Sequence, residues 1–120
     1  MSGILQSVNA VRIFVDDVER ARHFYRDILE LNETVATPDW VLFDLDGKNV
    51  IVEKVAADDP EHDLVGRLLA VSFNVDDIDA TYRKLKAKGV SFPEPPERQG
   101  WGGTLAFPRD PDGNILTLVG

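Results

Sequence analysis

The chain contains no cysteine, and its 120 residues include only two histidines, His23 and His62. Without cysteine it can form no disulfide, no thiolate metal site and no cysteine nucleophile. Basic residues are also scarce, since 13 Lys and Arg stand against 21 Asp and Glu and leave a formal net charge of −8. Nucleic acids are bound through a basic surface, so we expect no nucleic-acid partner.

Long hydrophobic runs are missing as well. No stretch approaches the roughly 18 apolar residues of a membrane-spanning helix, and no basic segment followed by an apolar run opens the sequence. We therefore expect no membrane partner and a cytoplasmic location. What is present is the composition of an ordinary globular protein, with 43% hydrophobic and 28% charged residues.

An internal repeat organises the chain. The octets AVRIFVDD and AVSFNVDD begin at Ala10 and Ala70, sixty positions apart, and share five of their eight residues. The tetrapeptides DLDG from Asp44 and DPDG from Asp110 form a second matching pair in the same order. Two ordered matches indicate that one module has been duplicated.

The repeat sets the predicted domain organisation. Module one covers about 8–55, a polar linker covers about 56–67, and module two covers about 68–120. Halves of this size are marginally stable alone, so we predict that they share a core within a single domain spanning residues 1–120.

Each module shows the same succession of local signals. Apolar residues alternate at Val11, Ile13 and Val15, which predicts a strand, and the second copy repeats the pattern. Asp17 and Asp77 follow the two strands at the position of a helix N-cap. Asp-Gly pairs then predict hairpin turns between apolar runs. We therefore predict an α+β fold made of two tandem βαβββ modules.

Three segments resemble the vicinal oxygen chelate superfamily: AVRIFVDDVERARHFYRDILEL from Ala10, AVSFNVDDIDATYRKLKAKGV from Ala70 and GWGGTLAFPRDPDGNILTLV from Gly100. That family includes glyoxalase I, extradiol dioxygenases, fosfomycin-modifying enzymes and bleomycin-resistance proteins. The resemblance implies mixed, curled sheets that enclose a cavity, with the helices on the outside. It also implies a small-molecule ligand and a homodimer, although one scaffold of this kind hosts many activities.

The resemblance also indicates where the family's metalloenzymes hold their metal ligands. In this sequence those positions carry Ala10, Ala70 and Thr117, and the fourth falls at Val52 or Glu53. Alanine has no donor atom, and a threonine hydroxyl is a poor ligand for Zn²⁺, Fe²⁺ or Ni²⁺. Glu53 is the only remaining metal candidate, so we expect no metal and no other cofactor. Both histidines are expected on the surface.

The ligand site is predicted from strand alternation together with the resemblance. If the ligand positions of the family face the cavity, residues two positions away face it too. We predict a pocket with apolar walls and a few polar groups, as is usual for small-molecule sites. Its candidate residues are Arg12, Phe14, Ser72, Asn74, Trp101, Phe107 and Thr117.

Several alternatives stay open at this point. An unpaired buried charge is costly, so three alternatives stay open for Arg12. It binds a carboxylate or phosphate of the ligand, pairs internally with Glu53 as one possible partner, or extends its charged end to the rim of the site. A slip of one residue exchanges Val52 and Glu53 between the two faces of their strand. Trp40 and Trp101 either stack on the ligand or close the end of the barrel.

Three functions follow. The first is a metal-free small-molecule-binding protein, similar in kind to bleomycin-resistance proteins. The second is a metal-dependent lyase, isomerase or dioxygenase with a non-standard site, or an enzyme that uses acid–base chemistry without a metal. The third is a dimeric partner module without catalysis. Few acid–base groups fall in the predicted cavity, so the sequence leaves catalysis undecided and favours the first function.

Overall fold

The computed structural model describes residues 3–120 and consists of two four-stranded mixed sheets joined by a linker. The elements of module one are β1 (Ala10–Val15), α1 (Val18–Arg22) with a π-helical continuation (His23–Ile28), β2 (Asn32–Ala36), β3 (Trp40–Leu45) and β4 (Lys48–Lys54). A 3₁₀ turn (Pro60–Leu64) lies in the linker. The elements of module two are β5 (Leu68–Asn74), α2 (Ile78–Ala87), β6 (Glu97–Arg98), β7 (Thr104–Ala106) and β8 (Ile115–Val119).

The two sheets have the same topology. Their strand orders are β1-β4-β3-β2 and β5-β8-β7-β6. In each sheet the first strand of the module runs parallel to the last, and the other neighbouring strands are antiparallel. Each module is therefore strand, helix and three strands, so the predicted duplication and the α+β class are confirmed. Within the part of the chain that is described, no helix is long and apolar enough to cross a membrane.

The predicted helix starts are confirmed. The Asp17 carboxylate accepts a hydrogen bond from the Arg20 backbone N–H at 3.1 Å, and Asp77 does the same for Ala80 at 3.0 Å. These bonds satisfy backbone donors that have no partner within the helix. Both helices therefore leave the end of a module's first strand at equivalent positions.

Alternation along the strands separates two environments. Ile13 and Val15 of β1, Val41 of β3 and Val52 of β4 are fully buried against the helices. We call this side the helix face and the opposite side the open face. Arg12, between the partly buried Val11 and the buried Ile13, lies on the open face and is exposed. The Ile13 side of β1 therefore packs under the helices.

The first helix is not a regular α-helix over its whole length. After Arg22 the backbone widens into the π-helical turn, in which the Leu29 N–H donates to the Phe24 carbonyl at 2.9 Å. The wider turn carries two adjacent residues, Phe24 and Tyr25, into the core, where their rings meet edge to face with centroids 5.0 Å apart. Such turns are frequent near functional sites.

Strand β5 also departs from a regular strand. Leu68 pairs with Ile115 and Ser72 pairs with Thr117, so β5 holds two more residues than β8 over the same span. Ala70, within this bulge, has a φ of 57°. A bulge takes up extra residues by bending the strand locally.

The Asp110–Asn114 turn joins the two modules. Asp110 accepts a hydrogen bond from the Tyr25 hydroxyl at 2.7 Å, and the Asn114 side-chain amide donates to the Phe14 carbonyl at 2.9 Å. The Asp112 carboxylate accepts from the Asp16 backbone N–H at 3.0 Å. Module two is thereby fixed to the end of β1 and to the first helix.

Candidate functional site

Arg12 and Glu53 form an ion pair on the open face of module one. The Arg12 Nε and one terminal nitrogen donate to the two Glu53 carboxylate oxygens at 2.8 and 3.0 Å. The strand register explains the contact, because Phe14 is opposite Glu53 across β1 and β4 whereas Ile13 is opposite the buried Val52. Glu53 therefore shares the open face with Arg12. The hydrogen bonds from Arg12 to Glu53 and the negative charge of Glu53 raise the pKa of Arg12.

Two aromatic residues flank this pair. The guanidinium carbon of Arg12 lies 5.0 Å from the centroid of the Phe14 ring, which is within the range of a cation–π contact. Trp40 is opposite Glu53 across β3 and β4 and is 39% exposed. We call Arg12, Phe14, Trp40 and Glu53 the module-one platform.

The open face of module two carries smaller polar side chains. Ser72 and Asn74 are exposed on β5, and Thr117 of β8 is opposite Ser72 with 9% of its surface accessible. We call Ser72, Asn74 and Thr117 the module-two patch. Its hydroxyl and amide groups supply both hydrogen-bond donors and acceptors.

The two remaining candidates lie near the last hairpin. Trp101 is 67% exposed in the turn that precedes β7, and Phe107, directly after β7, is 38% exposed. Arg12, Ser72 and Asn74 are exposed as well, so one chain alone does not cover these groups. A site that uses them needs a further surface to exclude water.

The paired βαβββ modules and their open faces can now be compared with known proteins. The family model for the Glyoxalase/Bleomycin resistance protein/Dioxygenase superfamily matches residues 7–118. The chain belongs to this superfamily. The predicted resemblance is thereby confirmed, because the match covers both modules.

Several relatives within the superfamily match over nearly their whole length. The uncharacterized protein YraH of Bacillus subtilis (strain 168) is 30% identical, over 90% of this chain and 93% of its own. The phenazine antibiotic resistance protein EhpR of Enterobacter agglomerans is 26% identical, over 98% of this chain and 95% of its own. A crystal structure of a superfamily member from Sphaerobacter thermophilus DSM 20745 has a TM-score of 0.77 and 29% identity, over 97% and 98%.

The residues at the superfamily's implied metal positions do not fit a divalent ion. Ala10 and Ala70 offer no donor atom, Thr117 offers only a hydroxyl, and both carboxylate oxygens of Glu53 accept hydrogen bonds from Arg12. Across residues 3–120, no three His, Cys, Asp or Glu side chains are grouped so that they could hold a metal ion.

The two histidines lie elsewhere. His23 is exposed and its Nδ1 is 2.9 Å from the Asp27 carboxylate on the same helix. His62 is half-buried in the linker, where its Nε2 contacts the Asp16 carboxylate. The prediction of two surface histidines is correct for His23, whereas His62 helps to join the linker to module one.

A cavity of about 260 Å³ lies on the other side of the sheets. Its walls come from the helix faces of both modules, including Ile13, Val50, Phe73 and Leu116. Of the seven candidate ligand-binding residues, Asn74 contributes to this cavity. The other six lie outside it, so this cavity does not reach the module-one platform but shares Asn74 with the module-two patch.

Sequence reasoning missed the residues that join the modules. The sequence does not single out Tyr25 within the first helix, and it predicts only a turn for the segment from Asp110 to Asn114. The combination of Asp and Asn around a turn was a weak signal for a hydrogen-bonded loop. Its contact with Tyr25, 85 positions away, depends on how the modules pack.

Proposed function

We propose that the protein binds a small planar aromatic molecule without a metal ion, between the module-one platform of one copy and the module-two patch of a second copy in a homodimer. The observation that carries this proposal is the arrangement of Arg12, which is held by Glu53 and lies over the Phe14 ring. A fixed guanidinium presents a flat surface on which an aromatic ring stacks. Trp40 extends that surface on the other side of Glu53.

The charge balance of the platform narrows the ligand class. Glu53 neutralises Arg12, so the pair carries no net charge toward a ligand. A strongly anionic ligand must compete with the Glu53 carboxylate, and a strongly cationic one must compete with Arg12. Aromatic surface and a neutral ion pair therefore favour a neutral ring system. The name of the relative EhpR, a phenazine antibiotic resistance protein, agrees with this class.

Exposure of the open faces supports the homodimer. Arg12, Ser72 and Asn74 are exposed in one chain, and a second copy supplies the covering surface that a ligand site requires. Ile4, Leu5 and Val8 of the amino-terminal segment are 97%, 90% and 76% exposed. Apolar side chains in such a cluster are typical of a surface that contacts another protein.

Phenazine is a suitable probe, because it is planar, aromatic and uncharged. We expect phenazine to bind and to quench tryptophan fluorescence, with Arg12→Ala and Trp40→Ala each weakening the affinity about tenfold through loss of stacking. Arg83→Ala, at an exposed position of α2, is the matched control and leaves the affinity unchanged. Equal affinities for the parent and both platform variants would remove the platform from the site.

The metal-free part of the proposal has its own test. Protein purified without an affinity tag is analysed for bound metal and then heated with Zn²⁺, Ni²⁺, Mn²⁺ or Fe²⁺. We expect no stoichiometric metal and no change in Tm, because Ala10 and Ala70 cannot act as ligands and Glu53 is held by Arg12. A rise of several degrees with any one ion contradicts the proposal and favours a metalloenzyme with a non-standard site.

A further inference from the structure

The cavity between the helix faces lies on the opposite side of β1 and β4 from the module-one platform, and it shares only Asn74 with the proposed open-face site. Ile13 and Val50 of module one and Phe73 and Leu116 of module two form its walls. Ile13 points to the opposite side of β1 from Arg12, and Val50 belongs to the same buried row of β4 as Val52. A molecule in this cavity therefore does not touch the platform.

The segment after the π-helical turn closes one side of the cavity. Leu29 and Leu31 both line it and both are only partly buried. Glu30, between them, has a φ of 62°, a left-handed conformation that is uncommon for residues other than glycine. This conformation ends the helix, since Glu30 follows the C-cap Leu29 and the Leu31 N–H donates to the Tyr25 carbonyl at 3.0 Å.

The same segment places charge at the edge of the cavity. Lys84 of α2 is a lining residue, and its ammonium donates to the Glu30 carboxylate at 3.0 Å. Lys88 donates to the same oxygen at 3.3 Å. Glu30 and Lys84 both line the cavity, and the second ammonium group, that of Lys88, leaves this cluster with one positive charge in excess. This charge suits a single anionic group on a ligand.

We propose that this cavity binds a small amphipathic monocarboxylate, with its hydrocarbon chain between the two helix faces and its carboxylate beside Lys84. The lining is mainly Ile, Leu and Val, which favours an aliphatic body over a polar one. A volume of about 260 Å³ accommodates on the order of ten non-hydrogen atoms, since a water molecule takes about 30 Å³ in the liquid. Octanoate has this size and charge.

Calorimetry and amide chemical shifts of the parent protein test the proposal with three probes of one chain length. We expect saturable binding of octanoate, weaker binding of neutral 1-octanol and none of cationic octylamine, because only the carboxylate complements Lys84. Octanoate should shift the amide signals of Leu29, Leu31 and Phe73. Absence of octanoate binding, or shifts confined to the platform residues, overturns the proposal.

Variants separate the charge from the cavity. Lys84→Met keeps the apolar stem and should weaken octanoate binding about fivefold, as expected for loss of an exposed ion pair. Lys54→Met, at the exposed end of β4, is the matched control. Val75→Phe should abolish octanoate binding, because the larger side chain fills the cavity. If this variant does not fold, the amide chemical shifts of the parent protein show whether octanoate binds in the cavity. Unchanged affinity in Lys84→Met contradicts the proposed position of the carboxylate.

One further variant distinguishes this site from the proposed open-face site. Arg12→Ala removes part of the platform and leaves the lining of the helix-face cavity intact. We expect it to bind octanoate as the parent protein does. A loss of octanoate affinity in this variant places the carboxylate on the open face and overturns the inference. This result does not depend on the phenazine affinity, which tests the open-face site separately.

Discussion

At the scale of single residues, the Asp110 carboxylate accepts four hydrogen bonds. Its Oδ1 accepts from the backbone N–H groups of Asp112 and Asn114, both at 2.9 Å. Its Oδ2 accepts from the Tyr25 hydroxyl at 2.7 Å and from the Asn114 side-chain amide at 3.0 Å. Burial raises the pKa of Asp110 above its usual value and raises the pKa of Tyr25 well above its own. This carboxyl group therefore organises the turn and joins it to module one.

We predict that Asp110→Ala destabilises the protein by about 3 kcal/mol, because it leaves several buried donors without an acceptor. Urea unfolding followed by circular dichroism measures the change. Asp58→Ala, an exposed position in the linker, is the control and should stay within about 0.5 kcal/mol of the parent. If the two variants unfold at the same urea concentration, Asp110 does not stabilise the contact between the modules.

The same scale shows why some site residues could not be placed from the sequence. Val50, Ile51 and Val52 form a continuous apolar run, so alternation does not reveal which face Glu53 occupies. The pairing of Phe14 with Glu53 across β1 and β4 decides it, and that register depends on the whole module. The internal partner of Arg12 was accordingly only one of several alternatives.

At the scale of elements, the sequence predicts the helix starts but does not predict the π-helical turn or the β5 bulge. Asp17 and Asp77 are helix N-caps as predicted, because capping depends on neighbours three residues away. The π-helical turn and the β5 bulge have no such local signal. They arise where Phe24 and Tyr25 both enter the core and where β5 must fit the shorter β8.

Ala70 allows a test of the bulge. With a φ of 57°, it has a left-handed conformation that glycine adopts without steric penalty. We predict that Ala70→Gly stabilises the protein by about 0.5 kcal/mol, whereas Ala80→Gly in α2 destabilises it by about 1 kcal/mol. Thermal unfolding of the two variants makes the comparison. Similar destabilisation of both would show that β5 is a regular strand at Ala70.

At the scale of the whole molecule, duplication explains how a short chain forms its sites. The modules meet through their helix faces, which creates a shared core and the helix-face cavity. On their open faces Arg12, Ser72 and Asn74 are exposed, whereas Phe14 and Thr117 are buried. The open face is aromatic and ion-paired in module one and polar in module two. The repeat in the sequence was sufficient to predict two βαβββ modules. It could not show which residues of each face are buried, because that depends on how the two modules pack.

The central claim is that one ligand site is shared between two copies, and a mixed dimer tests it most directly. One chain carries Arg12→Ala and Trp40→Ala in the platform, and the other carries Ser72→Tyr in the module-two patch. Each variant alone has both of its sites damaged, whereas the mixed dimer has one site built from an intact platform and an intact patch.

The measurement is the phenazine stoichiometry of mixed dimers that are isolated through two different tags and sized by light scattering. We predict one phenazine per mixed dimer, with parent-like affinity, and no measurable binding to either variant alone. A mixed dimer that binds no phenazine, or a parent protein that is a monomer of 13.3 kDa, contradicts the shared site.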